Sequence, residues 1–404
     1  METTLSLVLV IGAGLGGLAL GQGLHAAGVQ VRVFEADDSW VSRAQGARIH
    51  IDDRGTRALR RVLPAALFEM FEATVGEPDE SICVMADVDG VLQIVGGHPF
   101  TGSDDNPGET RPGRPVSRRL LRDILRAGLE ERVSLGKRCV GYELLDGRVR
   151  AHFADGDHAD GDVLVGADGI GSAIRRQYLP HARVVDTGVR WLGGKTPLDG
   201  EVLGTGVPDM LRGAFALTEL DGAGMVAAVM RFRTSPRQAA AAHWPGLRPS
   251  EDDDFVMWAL IISPEQLNGV TRARSDDAAA RHLHRLARDL AGRAHPGLRT
   301  IVERAWTRQT YALEMGTAEP VQAWPSSAVT LLGDAIHAMP PNRGSGANTA
   351  LQDAEGLTRA LAAANGGEMA TVEAVAKYEA GMRRDGFASV RASVDGLGEF
   401  LLRD

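Results

Sequence analysis

The stretch LVLVIGAGLGGLALGQGLHAAGVQVRVFEAD, residues 7–37, limits what this chain can fold into more than any other. Residues 7–11 are apolar without polar alternation, the pattern of a parallel strand buried on both faces. Gly12, Gly14 and Gly17 follow in G-x-G-x-x-G spacing. The first suits a tight turn, the second lets backbone approach a pyrophosphate, and the third lets the next helix pack on the strand. That helix offers unpaired N–H groups and a positive dipole end to phosphate. A second strand over 29–34 ends in Glu35, about 20 positions on, placed to accept hydrogen bonds from a ribose diol. Glu35 also argues against a 2′-phosphate, because like charges repel. A lone glycine triplet arises by chance in a Gly-rich chain, but strand, turn, helix, strand and acid in one run point to a dinucleotide site.

Charge and composition narrow the class. The net charge is −9 and the arginines are interleaved with acids, which gives no support to nucleic-acid binding. No run of 18 apolar residues exists to span a membrane, and the first apolar stretch lacks a basic leader region, so a cytoplasmic protein is expected. The two cysteines, Cys83 and Cys139, make neither a disulfide framework nor a zinc site, and no metal is expected.

Along the chain, residues 96–115 are dense in Gly, Pro, Asp and Asn and read as loop. Residues 116–129, VSRRLLRDILRAGL, have the spacing of an amphipathic helix. A hairpin or meander is expected over 142–160, with turns at Asp146-Gly147 and Asp155-Gly156. From about 188 to 308 the texture changes to antiparallel strand signals: 211–220 and 225–232 around a DGAG turn, then FVMWALII at 255–262. A helix over 276–290 follows, with Ser275 as its N-cap. Residues 329–332 return to the buried-strand type, and the end is alanine-rich and helical. The two ends of the chain therefore belong to one domain and the middle to another.

Two further segments share the logic of the first. VLVGADGIGSAIRR at 163–176 is a buried strand, a Gly-Ala-Asp-Gly turn and a helix start. VTLLGDAIHAMPPNRGSGANTALQDAEGL at 329–357 is a strand ending in Gly333-Asp334, a Pro-Pro loop, and a second helix start at 344–348. Each places an acid or bare backbone at the carboxyl end of a strand, where α/β folds bind ligands. In this order the three segments resemble the FAD-dependent aromatic hydroxylases, the class A flavoprotein monooxygenases typified by p-hydroxybenzoate hydroxylase. Arg118, in a V-x-R-x-x-L helix, belongs to the same pattern, and the resemblance spans nearly the whole chain.

The resemblance implies an α/β fold with a Rossmann-like FAD-binding domain of the GR2 type, an interleaved antiparallel-sheet substrate domain, and C-terminal helices. The implied partition is 1–75, 111–185 and 316–404 for the FAD domain, and 76–110 and 186–315 for the substrate domain. It implies non-covalent FAD, with NAD(P)H as a transient reductant docking briefly, since no second G-x-G-x-x-G is present. Gly12, Gly14, Leu15, Gly16 and Gly17 would receive the pyrophosphate, Glu35 the adenosine ribose, and Arg118 a further part of FAD. Asp168 and Gly169 would serve both FAD and NAD(P)H. Gly333 and Asp334 would meet flavin-side hydroxyls or phosphate, and Gly344, Gly346, Ala347 and Asn348 the pyrimidine edge of the isoalloxazine. Pro340 would lie beside the ring where O₂ reacts. Arg43 and Arg48 lie in a segment corresponding to a family loop near the flavin, although Arg48 stands where a small residue is common. The implied reaction is insertion of one oxygen atom into an electron-rich, aromatic substrate through a C4a-hydroperoxyflavin.

Rival readings on the same fold are an epoxidase, a Baeyer–Villiger-type oxygenase, or a non-redox flavoprotein holding FAD for structure. A halogenase would carry W-x-W-x-I-P, which is absent. His337 reads as a packed polar residue of its turn rather than a catalytic base. Arg190, Lys195, Arg231 and His243 are candidate substrate contacts by location only. Met225, Met230, Met257 and Trp258 lie on strands, where alternation sends about half of such residues to the core.

Overall fold

The computed structural model describes residues 5–40, 46–78, 80–99, 101–103, 106–110, 113–267 and 277–397. Two sheets organise them. The first has five parallel strands in the order Val329–Leu331, Val163–Gly166, Val8–Ile11, Val31–Phe34, Val133–Ser134. In chain order this is 5-4-1-2-3, the doubly wound arrangement, and the order reverses between Val8–Ile11 and Val163–Gly166. All four residues of each of these two strands are buried, as their lack of polar alternation requires. The helix Leu15–Ala26 packs beneath and meets the long C-terminal helix Ser345–Asn365, which in turn meets Thr371–Asp395.

The second sheet has seven strands: Tyr311–Ala318, Val184–Pro197, Phe255–Ile262, Ala223–Met230, Ala214–Leu220, Ser81–Val88 and Val91–Pro99. Every neighbouring pair is antiparallel except Ala214–Leu220 with Ser81–Val88. One face buries Met225, Trp258, Leu260 and Ile262 under the helices Asp277–Leu290 and Pro296–Glu303. The other presents Trp191, Leu217, Ile261, Tyr311 and Met315 in one patch and Met230, Phe255 and Met257 in another. Alternation thus divides the four Met and Trp residues singled out from sequence between the two faces.

Most expected elements form. Phe255–Ile262 is a strand over the expected bounds, and the meander appears as Cys139–Leu145, Arg148–Phe153 and His158–Gly161, with left-handed Gly147 and Gly156 in its turns. The helix expected over 116–129 is shorter, Arg118–Arg126, because the Ser117 hydroxyl caps it by accepting from the Leu120 N–H. The helix expected over 276–290 runs Asp277–Leu290, and Ser275 lies outside the described residues.

The loop expected over 96–115 is a correction: it contains the end of Val91–Pro99 and the strands Thr101–Ser103, Asn106–Thr110 and Arg114–Ser117. Val91–Pro99 is an edge strand, where Gly and Pro are tolerated. There Gly97, at φ +149°, lies so near the partner strand that a Cβ would meet the Ile82 carbonyl at 2.5 Å. The composition read as loop marked a sheet edge.

Candidate cofactor-binding and active site

The three sequence segments converge where the parallel sheet reverses order. Gly12 adopts φ +109°, and a Cβ on it would meet the Ala167 carbonyl oxygen at 2.3 Å, so the first and second segments touch here through backbone. A Cβ on Gly17 would strike the Gly12 carbonyl at 2.0 Å, and one on Gly16 the Leu332 side chain at 2.6 Å; Leu15 is itself a core side chain. A Cβ on Gly14 would meet nothing within 4 Å. Gly12, Gly16 and Gly17 are therefore small for packing, and Gly14 is bare toward open space. The helix behind it begins at Leu15 with no side-chain cap, which leaves its first N–H groups free for a ligand.

Glu35 is buried at the rim. Its carboxylate accepts from the N–H groups of Ala13 (3.0 Å) and Asp37 (3.1 Å) and from Arg122 (3.1 Å). An ionised carboxylate has about four acceptor positions, so one stays open for a hydroxyl. Arg122 also donates to the Ala13 carbonyl at 2.9 Å, and its guanidinium, with that of Arg126, lies over the Trp40 ring. Sequence reading missed Arg122. Its signal was its place one helical turn after Arg118, on the same helix face.

In the second segment, Asp168 Oδ2 accepts from the Ala173 N–H at 2.7 Å, while its buried Oδ1 has no partner among the described residues. Burial raises the Asp168 pKa, more than its hydrogen bonds to Ser172 and Ala173 lower it. Gly169, at φ +72°, opens to space. Arg175, also missed, donates to the carbonyls of Ile170 and Ala335 at 2.9 Å each and so ties the second segment to the third.

In the third segment Asp334 is exposed, next to the buried Gly333, whose N–H is already taken by Asp353 at 2.9 Å. A Cβ on Gly346 would lie 3.9 Å from Asp334 Oδ1, which puts the acid against the start of the helix Ser345–Asn365. That helix begins at left-handed Gly344, again without a side-chain cap. The Asn348 side chain is spent on the protein: its oxygen accepts from the Asp52 N–H (3.0 Å), and its amide donates to the His50 and Gly344 carbonyls (2.9 Å each). What Gly346, Ala347 and Asn348 can offer a ligand is therefore main-chain N–H, not an amide side chain.

Arg118 stands between these parts. Its half-buried guanidinium finds no hydrogen-bond acceptor among the described residues. Burial lowers its pKa, and nearby Asp334 and Tyr311 act in the opposite direction. Tyr311 belongs to the apolar face of the second sheet, and burial pushes its phenol up to about 12. Arg48, on the short strand Arg48–Ile51 that pairs with Arg114–Ser117, donates from Nε to the Val229 carbonyl at 2.9 Å and ties that ribbon to the seven-stranded sheet. Pro340 is the buried first residue of the Pro-Pro turn, and Arg43 lies outside the described residues.

The residues present fit an FAD. Two uncapped helix starts, an open Gly14, a guanidinium without a hydrogen-bond acceptor among the described residues and an exposed acid lie on the segments that converge where the sheet reverses order, which is the donor and acceptor set that a pyrophosphate, a polyol and an electron-rich ring require. No group of three or more metal-ligating side chains occurs among the described residues. Nor is any helix there long and apolar enough to cross a membrane.

The substrate candidates of the second sheet are mostly occupied. Arg190 is paired with Asp186 at 2.8 Å, and buried Lys195 with Glu251, which also takes the Ser117 hydroxyl. His243 lies 3.4 Å from Glu69 at a surface groove between helices, and Arg231 is 3.9 Å from Asp209. Trp191, Leu217, Ile261, Tyr311 and Met315 form a buried apolar patch on this sheet.

Comparison with known proteins agrees with this geometry. The family described as "FAD binding domain" matches residues 146–393. The dual O-methyltransferase/FAD-dependent monooxygenase CTB3 of Cercospora beticola is 32% identical over 93% of this chain, but this chain covers 44% of it, so the chain spans less than half the length of this curated relative. The FAD-dependent monooxygenase vrtH of Penicillium aethiopicum is 29% identical over 96% of this chain and 90% of its own. HpxO of Klebsiella pneumoniae, solved with FAD and uric acid, shares the fold with a TM-score of 0.70 at 23% identity, covering 96% of this chain and 87% of its own. The chain belongs to the family described as FAD binding domain, and the curated relatives it resembles are FAD-dependent monooxygenases.

Proposed function

We propose that this protein is an FAD-dependent monooxygenase that consumes NAD(P)H and inserts one oxygen atom of O₂ into an electron-rich organic substrate, in the first instance by aromatic hydroxylation. One observation carries the reading: the open cofactor groups of the parallel sheet share Arg118 with Tyr311, on the apolar face of the seven-stranded sheet. Bound FAD would supply the redox chemistry and the activation of oxygen.

The chain's own residues would do the rest. The N–H groups behind Gly14 would hold the pyrophosphate with Arg118 near it, and Glu35 would take the adenosine ribose. Asp168, Gly169 and Asp334 would hold the hydroxyls between the two halves. The main-chain donors at 345–348 would stabilise negative charge on the ring, with Pro340 and Arg48 at its edge. Trp191, Leu217, Ile261, Tyr311 and Met315 would exclude water and seat an apolar ring. The same reading keeps the partition into 1–75, 111–185 and 316–404 for FAD and 76–110 and 186–315 for substrate. It places the enzyme in the cytoplasm, where NAD(P)H is held.

The test is a screen of electron-rich aromatics for faster NAD(P)H oxidation by the FAD-loaded protein, with products weighed for one added oxygen. A yellow protein that oxidises NAD(P)H with no member of the panel would favour a non-redox flavoprotein instead. A lactone or epoxide product would move the reading to the corresponding oxygenase.

A further inference from the structure

The strand and turn that present Asp334 are held from behind by buried polar groups of the two C-terminal helices. Thr330 donates its hydroxyl to Glu379 at 2.9 Å, and the Tyr378 hydroxyl donates to the Leu331 carbonyl at 2.9 Å. Two residues on, the Gly333 N–H donates to Asp353 Oδ2, and His337 Nε2 lies 2.6 Å from the same oxygen. A carboxylate only accepts, so Nε2 carries the proton. His337 is fully buried, and its ring lies against Gly386, where a Cβ would meet Cδ2 at 2.6 Å. Gly333 adopts φ +60°, ψ −145°, a conformation that persists only where neighbours hold it.

Asp353 also sits two turns into the helix whose first turn carries Gly346, Ala347 and Asn348. One carboxylate is thus bonded to the turn before Asp334 and built into the helix that faces it. We propose that Asp353, with His337 seated on it, is a positioning residue for the cofactor: it holds the Gly333 peptide and so sets the Asp334 carboxylate against the helix start. Without this anchor the turn relaxes, and the acid and the main-chain donors lose their common geometry. Burial works against a charged His337, but the charge and hydrogen bond of Asp353, with Asp334 beyond, raise its pKa above 6.5. Removing either member costs most, because it leaves the other buried without its partner.

The inference rests on the reading that Asp334 meets FAD, and the experiment separates the two. Apoprotein of each variant is titrated with FAD by flavin fluorescence, and its melting is recorded in parallel. Asp353→Asn and His337→Leu are expected to raise the FAD Kd about tenfold, the scale of one charge-assisted hydrogen bond. His337→Gln, which keeps a donor, is expected to recover most of the affinity, and Gly386→Ala, which displaces the imidazole, to lose it. Leu298→Ala destabilises the other core and serves as the matched control. FAD affinity that falls equally in Leu298→Ala at the same melting temperature overturns positioning, and so does wild-type affinity in Asp353→Asn or in both His337→Leu and Gly386→Ala. Weak binding by Asp334→Ala beside normal binding by Asp353→Asn overturns this inference alone. Wild-type binding by Asp334→Ala overturns the placement of Asp334, and the inference with it.

Discussion

The two sheets handle buried polarity in opposite ways. In the seven-stranded sheet the buried charges are closed on themselves: Arg190 on Asp186, and Lys195 on Glu251 with Ser117. Around the parallel sheet some polar groups are spent on the protein and others are left open among the described residues, Asp168 Oδ1 and His337 Nδ1 included. Asp353 takes Gly333 and His337, and Asn348 takes Asp52, yet Arg118 and the two uncapped helix starts have no protein partner among the described residues. Elsewhere in the chain the helices that begin at Asp53, Arg118, Ala173, Gly200 and Pro236 are capped by Asp52, Ser117, Ser172, Asp199 and Ser235. The helices that begin at Ala65, Val207 and Thr371 also lack a side-chain cap, so an uncapped start singles out a ligand site only together with the open glycine and the acid beside it.

Breaking a closed pair has the largest expected effect. Glu251→Leu alone leaves Lys195 buried and unpaired and is expected to cost about 3–5 kcal/mol of stability. Lys195→Met on top of it restores most of the loss, as measured by denaturant unfolding. If single and double variants melt alike, the pair is not closed as described.

Next comes the open side. Gly14→Val is expected to leave apoprotein stability within about 0.5–1 kcal/mol, since nothing lies within reach of the added carbon. FAD affinity should fall by about a hundredfold, because the side chain occupies the phosphate approach. A melting temperature that collapses along with binding would show that Gly14 is a packing glycine like Gly12.

Arg118→Met tests the unpaired guanidinium. FAD binding is expected to weaken about tenfold in a calorimetric titration, while the apoprotein melts no lower, since a partly buried cation without an acceptor has been removed. A lower apoprotein melting temperature would place Arg118 with the closed pairs.

The smallest effect is a pH dependence. His337 has a folded-state pKa raised above 6.5 by Asp353 and Asp334 against the cost of burial, with the Tyr378 hydroxyl also facing Asp353. Its stabilisation is therefore complete below the unfolded value near 6.5 and lost as pH rises through the folded value. The melting difference between wild type and His337→Gln should shrink as pH climbs through that window.

Much of the cofactor side was legible in residue order. The glycine turn, Glu35 and the strands before Gly166 and Gly333 depend on neighbours within a few positions, and local spacing reports such features. The meander over 142–160 and the strand at 255–262 were equally clear. The expected loop over 96–115 formed strands because edge and two-stranded pairings tolerate Gly and Pro, and of these strands Arg114–Ser117 has a partner far along the chain, Arg48–Ile51. Arg122 and Arg175 were missed for a similar reason: each bridges segments 87 or more residues apart, Glu35 in one case and Ala335 in the other.

By itself the sequence determined the dinucleotide turn, the α/β class and the three segments that converge where the parallel sheet reverses order, because their chemistry lies in short contiguous runs. Tertiary structure alone decided which of those residues stay open. It turned the Asn348 amide inward, gave the Gly333 N–H to Asp353 and left Arg118 without a partner. Whether a polar group is spent or available depends on what the fold brings within about 3 Å of it, and that distance is not written along the chain.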